Sequence, residues 1–483
     1  MSEAVSAEGV KDQPASASTS IIERMFSIQA RGSTVGTELL AGVTTFMVMA
    51  YIIFVNPAIL TFASAPPLQG QGPPFSATLA ATCLVAAVTT IAMGLVSNYP
   101  FALAPGLGLN AVVAFTLIAG LKLPWQAAMG VIVLEGLLIT LLVMTGFREA
   151  VMHAIPLSLK RAISVGIGLF ILFIGLEIGE LIIWGSRDIG TPVAIAPLSS
   201  PRHLVTIVGL AFTLVLFTRG IRGALLLGIL GTTIFAVIVN GLTGNTAYTI
   251  PGMATVPTTI VSAPDFSTIG QGLNFSVFAH IGVLAAALTI FSLMLSDFFD
   301  TMGTVIGVGG EAKLLDEQGR LPKLNRVLFI DSLAAVLGGI FSASSATTYI
   351  ESAAGVSQGG RTGLTSVVVG LLFLCALFFS PLAAVVPPHA TAPTLIIVGF
   401  LMAGLVRQIP FEDVEEGFPA LMTIALMPFT FSITNGIGAG FISYVFIKIA
   451  RGKAGEVHPL LSGVAVAFAV YFALGPIKST LGI

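Results

Sequence analysis

From Thr37 almost to the C-terminus, apolar runs of about 20 residues alternate with short polar joints. Each run is long enough to cross the hydrocarbon core of a bilayer as a helix. The pattern predicts spans at 37–60, 76–97, 101–119, 124–146, 160–183, 203–219 and 222–243. After a long loop it predicts 281–304, 325–343, 346–359, 362–384, 390–407, 418–433 and 436–450. A further apolar stretch at 458–476 would be a fifteenth, crossing to leave the C-terminus outside or re-entering to leave it inside. The runs are continuous and do not alternate, which excludes a membrane β-barrel. The fold class is therefore an all-α polytopic membrane protein.

Two predicted spans break the pattern. NYPFALAPGLGLNAV (98–112) and SASSATTYIESAAGV (342–356) occupy the same place in each half, each an extended, Pro- or Thr-rich stretch before a short run of small residues. A weaker echo links IPLSLKRAISVGIG (155–168) to VPPHATAPTLIIVG (386–399). Seven spans per half is an odd number, so the halves would have opposite topology. Paired interrupted helices at matching positions of two such halves point to a transporter binding site.

Charge sets the orientation. With the N-terminus inside, Arg148, Lys160, Arg161, Arg219, Arg222, Lys313, Arg320, Lys323, Arg326, Lys448, Arg451 and Lys453 all fall on cytoplasmic joints. The opposite loops at 61–75, 244–279 and 385–389 carry no Lys or Arg; Arg187 and Arg202 are among the exceptions. Residues 1–30 read as a disordered cytoplasmic tail with no apolar signal core. A net charge of −2 argues against nucleic acid as a partner. Cys83 and Cys375 sit in apolar runs, as small packing residues rather than a disulfide.

Only 9% of the 483 residues are charged, and the mean hydropathy is +0.99. Against that background, Asp297 and Asp300 in SDFFDTMGT and Glu351 in SATTYIESAAG stand out. An acid at the bilayer centre costs about 2.5–3.5 kcal/mol on insertion scales, so such groups bind a polar solute, relay a proton, or do both. Asp297 and Asp300 lie three residues apart on one side of a helix and cannot both ionise easily in low dielectric. One could accept hydrogen bonds from substrate while the other exchanges a proton; spacing alone leaves the assignment open. Glu351 falls in the first turn of the second half-helix, where it either caps the helix or accepts N–H donors from a flat heterocycle.

Asn110 could read a purine edge with its carboxamide or tie the first half-helix to its neighbours. Phe101 and Tyr349 precede the two half-helices and could stack on a ring or pack in the core. Glu135, in GVIVLEGLLIT, either bonds a neighbouring helix or joins the site. Asp331 is expected near the cytoplasmic end in a structural role, and Glu177 and Glu180 solvated at an exit face. His153, His203, His280, His389 and His458 lie at span ends and indicate no metal cluster. GVGGE at 307–311 lacks the lysine and the strand–helix context of a phosphate loop.

The strings GTELLAGVTTFMVMAYIIFVNPAIL, PFALAPGLGLNA, SDFFDTMGT, SATTYIESAAGV and PFTFSITNGIGAGFISY together resemble the AzgA-like purine permeases, a branch of the nucleobase–cation symporter family. The similarity runs from about Arg31 to about Gly475. It implies seven-plus-seven inverted repeats divided into core and gate: core halves 31–146 and 281–384, gate halves 147–245 and 385–452. An extracellular loop at 246–280 and a C-terminal segment at 453–483 complete the division.

The resemblance further implies adenine, guanine or hypoxanthine as substrate, imported by proton symport, with sodium the less expected ion and no bound cofactor. It maps substrate binding to Asp297, Glu351 and Asn110, makes Asp300 the additional acid for proton coupling, and sets Tyr349 and Ile350 in backbone facing the base. A multi-pass protein of the plasma membrane follows, with the lipid bilayer and a purine nucleobase as partners; a homodimer is kept open. The chain is not expected to be an enzyme: an intramembrane aspartyl protease needs two aspartates on separate helices, and here the pair shares one. An anion transporter or channel on a related fold is the alternative, weakened by the acids and by the absence of a basic residue in either interrupted segment.

Overall fold

The protein is described by a computed structural model covering residues 21–63, 68–145, 154–184, 193–248, 250, 252–316 and 321–481. Residues 1–20 of the expected tail, together with Arg148, His153, Arg187 and Arg320, lie outside the described residues. The first half comprises α1 (Val35–Met49), α2 (Ile52–Leu60), α3 (Phe75–Ser97), β1 (Leu103–Pro105) and α4 (Leu107–Ala111), which continues as a π-helix over Val112–Gly120. Next come α5 (Trp125–Thr145), α6 (Leu157–Ile178), a hairpin of β2 (Ile182–Trp184) and β3 (Val193–Ile195), α7 (Pro201–Thr218) and α8 (Ala224–Leu242). The second half repeats the order with α9 (Val283–Glu311), α10 (Leu324–Ile340), β4 (Ala346–Thr348), α11 (Ser352–Ser357), α12 (Gly363–Ala376), α13 (Pro388–Ala403), α14 (Val414–Thr430) and α15 (Ile433–Ala450). A last helix, α16 (Pro459–Leu481), packs on α15 and α9.

Ten helices among the described residues are long and apolar enough to cross a membrane. The expected span 37–60 is two helices, interrupted at Ala50–Tyr51 and bent again by Pro57 inside α2. Hydropathy does not register such a break, because the residues on either side of it stay apolar.

Both interrupted segments are extended where they cross, and they pair with each other. β1 and β4 run antiparallel, with Leu103 opposite Thr348, Ala104 opposite Thr347 and Pro105 opposite Ala346. Two more bonds close the ends of this ladder, Gly106 N–H to the Ser345 carbonyl at 2.8 Å and Tyr349 N–H to the Ala102 carbonyl at 2.9 Å. Side chains satisfy what the ladder leaves: Thr90 bonds both backbone groups of Leu103, and the Ser366 hydroxyl reaches the carbonyls of Tyr99 and Phe101. Irregular backbone at membrane depth persists only when every polar group finds such a partner.

Helices pack in two groups. In one, α3 lies on α12, α5 on α10, and α1 on α12 and α11; in the other, α6 packs on α13 and α14, α7 on α8 and α13, and α14 on α15. Small residues allow the approach, as at Gly94 and Gly363, where a Cβ on either would overlap the other's carbonyl. The first group is also tied by the fully buried Glu38, whose carboxylate accepts the N–H groups of Arg361 and Thr362 at the start of α12 (2.9 and 3.2 Å) and the Thr365 hydroxyl (2.5 Å). An acid at a helix N-terminus meets both its orphan donors and its positive field.

Candidate functional site

The start of each half-helix opens onto one cleft. Gly106, Leu107 and Gly108 form one side, Tyr349, Ile350 and Glu351 the other, with Thr347 and Thr348 of the ladder between them. The cleft is partly open, and its roughly 600 Å³ of empty space includes the solvent at its mouth. Asp300 and Thr304 of α9 and Tyr51 at the break between α1 and α2 complete this polar wall. The facing wall is apolar and belongs to the second helix group: Ile167 of α6 with Val398 and Met402 of α13. Gly108 is what lets α4 approach α6, since a Cβ there would strike Ile167.

Glu351 sits at the N-cap position of α11 but makes no capping bond. Its Oε1 accepts the Tyr51 hydroxyl at 2.6 Å, and the carboxylate turns into the cleft. Asp300 receives no hydrogen bond from a protein donor among the described residues, so its acceptor capacity is free for a bound solute. Tyr349 donates its hydroxyl to the Pro105 carbonyl, which fixes its ring against the ladder. No Lys, Arg or His lines the cleft among the described residues. It therefore offers acceptors and aromatic faces to a flat, N–H-bearing, uncharged solute.

Of the residues singled out from the sequence, the structure brings Glu351, Asp300, Tyr349 and Ile350 to this cleft. Asp297, Asn110 and Phe101 do not line it, which differs from the placement expected of them. Three helical residues turn the direction by 300°, so Asp297 points about 60° away from Asp300 and one layer deeper. There Asp297 is 1% exposed and accepts the Ser345 hydroxyl at 2.9 Å. Phe101 is fully buried against the Tyr99 ring, 5.6 Å between centroids, because the extended backbone before β1 turns it into the core. Asn110 is fully buried, and both atoms of its carboxamide lack a partner.

Of three further acids, Asp331 and Glu180 depart from expectation, while Glu135 falls against a neighbouring helix, as one of its two readings had it. Asp331 is structural, but it lies inside α10 at the ladder, bonding Thr348 and Thr301. Glu135 is fully buried with its carboxyl against Asp297. Glu180 is partly buried, 3.3 Å from Arg202, 3.6 Å from His203 and 3.5 Å from His389. The His389 ring beside it, with Arg202 and His203 adding their charge, holds Glu180 below the usual carboxylate range. Sequence reasoning missed Tyr51 and the apolar wall. Tyr51 could have been noticed as a hydroxyl inside an apolar run; Ile167 and Val398 fall at matching positions of the weaker echo between 155–168 and 386–399, and Met402 carries no signal.

Comparison with known proteins places this geometry. Residues 36–439 match the family model Xan_ur_permease, described as a permease family. The chain is similar to the adenine permease AdeP of Escherichia coli (strain K12), 41% identical over 448 residues, covering 93% of this chain and 95% of that protein. It is also similar to the guanine/hypoxanthine permease PbuG of Bacillus subtilis (strain 168), 38% identical, covering 93% of this chain and 99% of that one. Among solved structures, the transmembrane domain of a cyanobacterial bicarbonate transporter, BicA, aligns with a TM-score of 0.60 at 15% identity, covering 84% of this chain and 96% of that one. That likeness is one of fold alone, an inverted-repeat membrane transporter.

Proposed function

This chain belongs to that permease family, as a multi-pass membrane transporter, and we propose that it imports purine nucleobases, adenine, guanine or hypoxanthine, by proton symport with alternating access. One observation carries the reading: two carboxyl groups, Asp300 and Glu351, face a cleft framed by Tyr51 and Tyr349 and free of cationic side chains. A purine is flat and neutral and presents ring N–H donors that such acceptors can pair, while Tyr349 supplies an aromatic surface. An anion would be repelled by the same two acids. The names of AdeP and PbuG support the substrate class.

In this reading the helix group holding the half-helices is the core, and the group supplying Ile167, Val398 and Met402 is the gate. The cleft lies at their contact, so sliding one group against the other would expose the base to alternate sides. The outer side is closed by aromatic rings. Phe431, just after α14, packs edge-on to Phe170 and Phe173 of α6 at 5.5 and 5.3 Å and to Phe115 at 6.1 Å, and Phe115 meets Phe62 at 5.9 Å. The Thr116 hydroxyl donates to the Phe431 carbonyl at 2.8 Å, which ties α4's continuation to the gate.

Two outcomes test this. Cells or vesicles carrying the protein should accumulate labelled adenine, guanine or hypoxanthine, and a protonophore should collapse the accumulation; uptake at full rate with protonophore present would end the proton-symport reading. A panel of unlabelled nucleobases, run with and without sodium, identifies the preferred base and the ion. Separately, Phe431→Ala should unseal the outer side. With Thr304→Cys as a reporter in a cysteine-free background, labelling by an external membrane-impermeant maleimide should rise at least tenfold, and an unchanged labelling rate would remove Phe431 from the closure.

A further inference from the structure

Behind the cleft wall, two carboxyl groups meet with no cation between them and only the Ser345 hydroxyl donating to the pair. Glu135 of α5 is fully buried and neither of its carboxyl oxygens has a hydrogen-bond partner. Its helix packs on α9, and Asp297 of that helix and Ser345 before β4 are its acidic and hydroxyl neighbours. Asp297 is 1% exposed; Oδ2 accepts the Ser345 hydroxyl, and Oδ1, like the Glu135 oxygens, is unpartnered. Two facing carboxylates can bond each other only through a proton held by one of them, and leaving three carboxyl oxygens buried and unpaired is costly.

The surroundings offer no other way to balance the pair. Of the elements packed on α5, α9 contributes Asp297, with Asp300 a turn away, and α10 contributes Asp331, whose oxygens already accept three hydrogen bonds. Arg326 on α10 lies at the cytoplasmic end, toward the Val96 carbonyl. The short helix Val277–Ile281 carries His280, which is exposed and bonded to the Ser276 carbonyl. The π-helix after α4 has no ionisable residue, and Glu351 lies across β4 in the cleft. No Lys, Arg or His reaches Glu135 among the described residues.

We propose that Glu135 and Asp297 share the coupling proton, as a site one layer behind the substrate cleft and distinct from Asp300. This rests on the proton-symport reading above and gives the proton its own binding place. Loaded, the pair holds one proton as a carboxylic acid bonded to a carboxylate, with one negative charge. On release the proton leaves to water on the cytoplasmic side and two negative charges remain. The pair is wired to the cleft through β4: Ser345 bonds Asp297, Thr347 bonds Thr301, and Thr348 bonds Asp331, while the next residues, Tyr349 to Glu351, face the solute. A change of charge behind the strand therefore acts on the residues that hold the base.

The test compares binding with coupling in the full-length protein reconstituted in vesicles. Glu135→Gln places an amide donor against Asp297 and mimics the loaded pair permanently. It should keep equilibrium binding of hypoxanthine within about threefold of wild type, and should keep base-for-base exchange. It should lose at least tenfold in accumulation driven by a pH gradient, and the pH dependence of binding should flatten. Accumulation equal to wild type, with an unchanged pH profile, would overturn the proposal. Should Glu135→Gln not fold, two readings remain: Glu135→Asp retains an acid and should retain accumulation, and the wild-type protein without substrate should show an infrared C=O stretch of a buried protonated carboxyl. Absence of that band overturns the shared proton. If wild type transports no purine at all, the substrate reading fails by itself, and absence of the infrared band would still show that the pair holds no proton.

Discussion

Glu351→Gln is expected to weaken purine binding about 100-fold or more while leaving the fold intact. The carboxylate has two oxygens with two uses: Oε1 accepts the Tyr51 hydroxyl, and the group faces the cleft where ring N–H donors would lie. Glutamine keeps one acceptor. If that oxygen stays with Tyr51, the amide NH2 is turned toward the donors of the base; if it turns to the base, Tyr51 loses its acceptor. Hydrogen bonds to a charged group contribute about 1.5–3 kcal/mol, and an orphaned buried donor costs about 1–3 kcal/mol more. Together these give about 2.5–6 kcal/mol, or roughly 70-fold to 25,000-fold in Kd. Tyr51→Phe removes only the supporting hydroxyl and should cost about tenfold, near 1.4 kcal/mol. Equilibrium binding of labelled hypoxanthine to the purified variants, alongside their thermal unfolding midpoints, decides the matter. Wild-type affinity in a stable Glu351→Gln protein would take Glu351 out of the site.

Much of the architecture could be read from hydropathy, because a membrane span leaves a long and unambiguous run. The two interrupted segments were equally visible, since their extended stretches and short small-residue helices recur at matching positions of the two halves. Their pairing was not. β1 and β4 are three residues each and come from opposite halves of the chain, and strands so short leave no alternation to detect. The site was half legible for a related reason. Burying an acid is costly enough to flag Asp297, Asp300 and Glu351, but a three-residue spacing only says that the two aspartates share a side of α9. The remaining 60° of rotation decides that Asp300 meets the cleft while Asp297 meets Glu135. Glu135 itself was an isolated acid in an apolar run until α5 was seen against α9. The apolar wall facing the cleft stayed hidden because the echo between 155–168 and 386–399 marks two segments without saying which of their apolar side chains face the site, and Met402 differs from its neighbours only in position.

The ladder that carries Glu351 has its own anchor, and removing it should damage binding and stability together. Asp331 is 3% exposed and accepts three hydrogen bonds: Thr348 N–H at 2.8 Å, Thr348 hydroxyl at 2.7 Å, and Thr301 hydroxyl at 2.7 Å. Thr301 also meets the Thr347 hydroxyl at 2.6 Å, so one carboxylate on α10 fixes β4 to α9. Asparagine preserves the shape but presents NH2 where one set of donors now points, which sacrifices at least one charge-assisted bond, about 1.5–3 kcal/mol. Alanine withdraws all three acceptors and leaves the Thr348 N–H buried without one, raising the cost to about 3–6 kcal/mol. Since β4 runs directly into Tyr349, Ile350 and Glu351, its displacement moves half of the polar wall. Asp331→Ala should therefore lower the unfolding midpoint in detergent and weaken purine binding at least tenfold, with Asp331→Asn between it and wild type. A variant that lost stability but bound normally would mean that the ladder holds the helices together without setting the position of Glu351, and the cleft would have to be held from α1 and α2 through Tyr51 instead.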